Sequence, residues 1–201
     1  MNKFSSIKET VSAFRSGKIV IVFDDRTREN EGDLICAAEK ITPEKVNFMT
    51  KHGRGLICVP ISPEIAKKIN LKKLVKKNTD HTKCNFTISV DLKKGTSTGI
   101  SAFDRSKTIK AFTQNNLKPE DFARPGHVFP IIVDNKGVLK RPGHSEAAVD
   151  LAKLSGLKPA GVICEILRED GRMARLKDLF EFAKKHNLKI ICIKDLIDYR
   201  I

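Results

Sequence analysis

The sequence predicts an α+β fold, an α/β sandwich in which a mixed β-sheet is packed with helices, as a single domain over residues 1–201. Three observations predict it. Apolar, strand-like runs and amphipathic helical stretches are interspersed from end to end. Turn signals such as Asp134-Asn-Lys-Gly137 join some of the runs directly, so strands and helices do not strictly alternate. The 201 residues, with 40% hydrophobic content, suffice for one core and show neither a composition break nor an internal repeat.

Ser6-Ile-Lys-Glu9 has the capping-box pattern, in which a hydroxyl and a carboxylate three residues apart satisfy each other's backbone N–H groups, and it opens a helix that stops near Gly17. Lys18–Phe23 is a compact apolar run, read as a buried strand, and Leu34–Ala38 is a second. Thr42-Pro43-Glu44 and Ser62-Pro63-Glu64 each pair a cap with proline in the first turn and start helices. The first of these helices ends at His52-Gly53, and Leu56–Pro60 reads as a strand between them. From Lys67 to Lys77, six lysines interleave with Ile69, Leu71, Leu74 and Val75, either as a basic amphipathic helix or as a solvated face.

Asn85–Val90 alternates polar and apolar residues as a half-buried strand does. The hydroxyl-rich loop Gly95–Ser101 leads into a helix over Asp104–Phe112, where free N–H groups could hold a phosphate; a plain connection explains it equally well. Pro125–Val133 is a strand, and after the Asp134–Gly137 turn the chain returns through Val138–Lys140 to a helix over Glu146–Leu154. Gly161–Leu167 is an apolar strand carrying one acid, Leu176–His186 an amphipathic helix, Lys189–Ile193 a strand and Asp195–Tyr199 a last helical turn.

Between the first two strands lies the most charged loop. Residues 24–33 hold Asp24, Asp25, Glu29, Glu31 and Asp33 against Arg26 and Arg28. Carboxylates gathered at the mouth of a buried strand repel one another unless a cation collects them, and a hard divalent ion such as magnesium does so through oxygen ligands. The competing reading is the polar tip of a β-hairpin. Glu165, inside Val-Ile-Cys-Glu-Ile-Leu, must face a polar pocket, pair with a cation or lose its charge. His127 and His144 each follow a Pro-Gly pair at an element boundary, where other groups can approach an imidazole closely. Cys58 reads as a small apolar packing residue.

Lys plus Arg outnumber Asp plus Glu by 38 to 24, a formal net charge of +14, which favours anionic partners. A single Tyr, no Trp and no recognised nucleic-acid motif argue against nucleic acid. No signal segment and no long uncharged apolar run point to secretion or a membrane, and an odd set of five cysteines without C-x-x-C favours reduced thiols. These features predict a soluble, cytoplasmic protein.

Taken in order, several stretches resemble one family, 3,4-dihydroxy-2-butanone 4-phosphate synthase of riboflavin biosynthesis. They are Asp24-Asp25, Arg28-Glu-Asn-Glu-Gly-Asp33, His52-Gly-Arg-Gly-Leu-Ile-Cys58, Asn78-Thr-Asp80, Thr98-Gly-Ile-Ser101 and Asp104-Arg105. Arg124-Pro-Gly-His-Val-Phe-Pro130, Gly143-His144 and Gly161-Val-Ile-Cys-Glu165 complete the set. The resemblance implies the family's fold and the conversion of ribulose 5-phosphate into formate and a four-carbon phosphate. It further implies a magnesium ion (manganese as an alternative), no organic cofactor, and a homodimer with active sites at the subunit interface. Carried over by motif, Glu29 and His144 would be metal ligands, and His127 and Glu165 the catalytic pair. Arg28, Asp33, Glu165 and the segment Arg141, Pro142, Gly143, His144 and Ser145 would contact the sugar phosphate. Asp24, Glu31, Cys58 and Thr98 are further candidates. Pro142 and Ser145 depart from the family's usual Ala and Thr; Ser keeps the hydroxyl, while Pro removes a backbone N–H. A chain of this length leaves no room for the GTP cyclohydrolase II domain often fused in the family, so a monofunctional enzyme is expected.

Overall fold

The computed structural model describes residues 3–201. It contains one seven-stranded mixed sheet between two helical layers. The strands are β1 (Val20–Phe23), β2 (Gly32–Ala37), β3 (Cys58–Ile61), β4 (Val90–Leu92), β5 (Phe122–Ile132), β6 (Gly161–Glu165) and β7 (Lys189–Cys192), in the spatial order β4-β5-β3-β6-β2-β1-β7. The pairs β1–β7 and β3–β5 are parallel; β1–β2, β2–β6, β3–β6 and β4–β5 are antiparallel. The helices are α1 (Ile7–Arg15), α2 (Pro43–Phe48), α3 (Pro63–Lys68), α4 (Ala102–Ala111), α5 (His144–Leu154), α6 (Leu176–His186) and α7 (Ile193–Arg200).

The period-two alternation of the strands sorts their side chains into two cores. Val20, Val22, Ile35, Cys58 and Ile163 face α1, α5 and α7; Ile21, Phe23, Leu34, Cys36, Val59 and Cys164 face α2, α4 and α6. Because both faces are covered, β1 and β2 are buried along their whole length. The helix starts follow the expected cap chemistry: Ser6 and Glu9 form the reciprocal capping box, and Thr42 and Ser62 accept from Lys45 N and Ile65 N.

Three expectations need correction. The alternating Asn85–Val90 run is no strand; it makes only isolated bridges, Thr87 to Lys73 and Phe86 to Ile131, and regular pairing begins at Val90. The Asp134–Gly137 turn forms (Gly137 N to Asp134 O, 3.0 Å), but a 3₁₀ turn over Gly137–Leu139 follows it in place of a returning strand. Asp150 on α5 takes the Val138 N–H (2.8 Å) that a ladder partner would have taken. Of the two readings of Lys67–Lys77 the structure agrees with the solvated one: helix α3 stops at Lys68, and the lysines beyond it are exposed together with Leu74 and Val75. Finally, β2 begins at Gly32, which makes Asp33 a strand residue and ends the acidic loop before it.

Candidate active site

The loop between β1 and β2 is organised by Asp24, which is buried. Its Oδ1 accepts Glu31 N (2.9 Å), and its Oδ2 accepts Glu29 N (3.0 Å) and Arg28 Nη1 (2.9 Å). Asp25 caps the following turn through Thr27 N (2.8 Å), and Asn30 takes the left-handed conformation at φ 56° that Asn tolerates better than most residues. From outside, Arg175 Nη1 binds the carbonyls of Glu29 (3.0 Å) and Asn30 (2.6 Å) and lies 3.7 Å from Glu31. With its own backbone bonded this way, the loop projects the Glu29 carboxylate inward, where it also pairs with Arg28.

The sheet supplies the floor. In the β2–β6 ladder Asp33 lies directly opposite Glu165, and Cys58 of β3 opposite Ile163, so all four point to the same face at the strand ends. Glu165 is half-buried and faces the polar pocket, the first of the three alternatives its apolar surroundings allowed; it is the last residue of β6, and its Oε2 accepts Leu56 N (2.8 Å). A Cβ at Gly55 would stand 2.7 Å from Glu165 N, so this close approach requires glycine. The N-terminus of α5 closes the site with buried His144 and Ser145. His144 Nδ1 is 3.6 Å from Glu29 and 3.8 Å from Asp33. Arg141, just before the helix, is locked by Glu146 (2.5 Å) and by Thr82 O (2.9 Å).

These groups line one cavity of about 230 Å³, below the roughly 300 Å³ at which drug-sized pockets begin, and so scaled to a small polar metabolite. It brings together Arg28, Glu29, Glu31, Asp33, Cys58, Arg141, His144, Ser145 and Glu165. Pro142 lines the neighbouring cavity, and Gly143 caps α5, where a Cβ would press within 2.9 Å of Glu146. Two candidates lie elsewhere. Thr98 is on an exposed loop, and His127 is on β5, held by Asp91 (Nδ1 to Oδ2, 2.6 Å). Neither lines the cavity within one chain. Conversely, Asp80, His81 and Thr82 line it although none of them stands out as a candidate in the sequence; only Asn78-Thr-Asp80, one of the family stretches, points there. Arg175 was missed altogether, because a cation before a helix carries no sign of the loop it will hold. A larger cavity of about 460 Å³, beside His52 and His186, shares none of these carboxylates, so volume does not mark the site.

The electrostatics are those of a place built for a cation. Burial pushes the Asp33 carboxyl up to about 7, with Glu165, Glu29 and Glu31 adding to the rise against the opposing pull of His144. Contact with His144, then Arg28, holds Glu29 down at about 2 against burial. Burial alone would lower the pKa of His144, but Asp33 and Glu29 outweigh it and hold it at about 9. In effect the imidazolium supplies the positive charge that the carboxylates demand. Donor atoms of Asp24, Glu29 and His144 lie within 4.8 Å of one another, and His144 Nε2 is buried without a partner. The oxygens of Asp24 are already engaged by N–H groups, which leaves Glu29 and His144 as the donors. One carboxylate, one imidazole and room for substrate oxygens fit a divalent ion with open positions.

Fold and cavity together define a class: an α/β sandwich whose central strand ends carry a carboxylate-rich, metal-competent pocket for a small ligand. The sequence pattern of the 3,4-dihydroxy-2-butanone 4-phosphate synthases matches residues 8–199, and the chain belongs to that family. The riboflavin biosynthesis protein RibBA of Aquifex aeolicus (strain VF5) is 57% identical over 201 residues, covering 99% of this chain and 50% of that protein. RibBX, a two-domain 3,4-dihydroxy-2-butanone 4-phosphate synthase from A. baumannii, superposes with a TM-score of 0.94 at 49% identity, over 98% of this chain and 58% of that one. A synthase crystallised in complex with two magnesium ions gives 0.93 at 40% identity, over 98% and 96%. The chain spans about half the length of the curated relatives it matches.

Proposed function

We propose that this domain converts D-ribulose 5-phosphate into L-3,4-dihydroxy-2-butanone 4-phosphate and formate, supplying riboflavin biosynthesis. The carrying observation is the convergence of Glu29, Asp33, His144 and Glu165 on one small cavity beside Arg141 and the first turn of α5. Arg141, Ser145 and the free N–H groups of that turn suit the phosphate end of the sugar. Glu29 and His144 would hold magnesium, or manganese in its place, and the bound ion would polarise the substrate carbonyl as a Lewis acid. Asp33, opposite Glu165 and with its carboxyl pushed up by burial, is placed to take and return a proton on the substrate. Glu165, anchored by Leu56 N, is placed to serve a second proton transfer on the same face of the sheet. The water lost when the terminal hydroxyl leaves is regained when carbon 4 departs as formate. The steps therefore balance without an oxidant, and no organic cofactor is needed.

His127 enters this reading through a second copy of the chain. It is half-exposed, its ring fixed by Asp91. Gly126 N binds Ser89 (3.2 Å) next to exposed Ile88, and Gly99, beside exposed Ile100 and near Phe103, packs against the imidazole. An oriented imidazole within an apolar surface suits a homodimer whose active sites lie at the interface.

The test is formate release from ribulose 5-phosphate with magnesium, with and without EDTA. Metal-dependent formate is expected, with Glu165→Gln and His127→Ala each lowering kcat by about 100-fold or more. A folded, metal-loaded protein that releases no formate overturns the reading.

A further inference from the structure

The inner cavity presents five carboxylates, from Glu29, Glu31, Asp33, Asp80 and Glu165, to a substrate that carries a phosphate. These charges attract a metal ion and repel the sugar phosphate. A second cavity of about 690 Å³ adjoins it, and Arg28, His81, Thr82 and Arg141 line both. Its outer wall has the opposite character: Lys73, Lys83 and Lys140 line it, with Asp134 as the single carboxylate.

The three lysines come from separate segments. Lys73 follows α3, Lys83 sits in a turn at φ 55° with its Nζ on Asn78 O (3.1 Å), and Lys140 immediately precedes Arg141. All three are exposed, and among the described residues none takes part in an ion pair. The arginines differ, since Arg28 is neutralised by Asp24 and Glu29 and Arg141 by Glu146. The uncompensated positive charge on this side of the site therefore resides in the lysines.

We propose that this outer cavity is a vestibule in which Lys73, Lys83 and Lys140 capture the phosphate of the incoming substrate and deliver it past Arg141 to the acidic pocket. A cleft lined by one sign of charge raises the local concentration and on-rate of an oppositely charged ligand by about 10- to 1000-fold, and salt screens the effect over about 10 Å at 0.1 M. The identity of the ligand rests on the proposed function; the capture of a phosphate dianion does not.

The experiment compares the wild type with Lys73→Gln/Lys83→Gln/Lys140→Gln. A control, Lys8→Gln/Lys110→Gln/Lys177→Gln, removes the same charge from exposed positions elsewhere. Inorganic phosphate affinity is measured by calorimetry at several salt concentrations, and formate kinetics are measured in parallel. The vestibule triple is expected to bind phosphate about tenfold more weakly at low salt and to raise KM about tenfold, with kcat within about twofold of wild type. Both differences should shrink as salt rises, and the control should match wild type. Equal weakening in the two triples would assign the effect to net charge and overturn the proposal, as would an unchanged vestibule triple. Wild type that binds phosphate through these lysines but makes no formate would overturn the proposed function and leave the vestibule standing.

Discussion

Five carboxylates that look equivalent in the sequence take separate tasks in the folded loop and at the start of β2. Asp24 is consumed by N–H groups and shapes the loop, and Asp25 tightens its turn. Glu29 and Asp33 face His144, while Glu31 lies near Arg175. Arg175 holds two loop carbonyls without touching the candidate metal donors themselves. Removing it should therefore loosen Glu29: Arg175→Ala is expected to weaken magnesium binding about tenfold, read by calorimetry, with little change in Tm. Cys58 lines the same cavity, but burial first and then Glu165 push its thiol far above the ordinary range. Cys36 and Cys164 are pushed up to about 12, also chiefly by burial. A raised thiol pKa leaves little thiolate at pH 8. Iodoacetamide should then spare these three in the native protein and modify all five cysteines after unfolding, as mass spectrometry would show.

At the scale of elements, the site is a consequence of register. Sliding β6 by one residue against β2 would turn Glu165 into the opposite core and leave Asp33 facing an apolar side chain. The long-buried α5 fixes the third side, and its own anchoring is polar: Asp150 binds Val138 N (2.8 Å) and pairs with Arg200 of α7. Asp150→Ala would strand a buried N–H and a partly buried guanidinium. A loss of about 2 kcal/mol is expected, below the roughly 3–5 kcal/mol of a fully buried pair because Arg200 is partly solvated, and measurable by urea unfolding. Helix starts were legible because capping is local chemistry within four residues. The strand expected at Asn85–Val90 and the hairpin after Asp134 were misread because alternation and turn residues say nothing of which partner is present.

Across the whole molecule, the +14 charge gains a place to act, since part of it surrounds the mouth of an acidic site. The position of His127 also makes a prediction at this scale. If the imidazole acts across a dimer interface, His127→Ala and Glu165→Gln, each inactive alone, should recover partial activity when unfolded together and refolded as a mixture. Activity that stays absent in the mixture, with mixed dimers verified by mass spectrometry, would exclude action in trans.

By itself the sequence determined the class of fold, the helix starts, the acidic loop and the motifs that define the family. These follow from local periodicity, capping and composition, which are written in neighbouring residues. Only the tertiary structure decided which residues meet. The pairing of Asp33 with Glu165, the grip of Arg175 on the loop, the rim at Asp80–Thr82 and the distance of His127 from the cavity all join segments far apart in the chain. Such meetings depend on strand register and sheet order, which are chosen by the packing of the whole core and leave no signature in any one stretch.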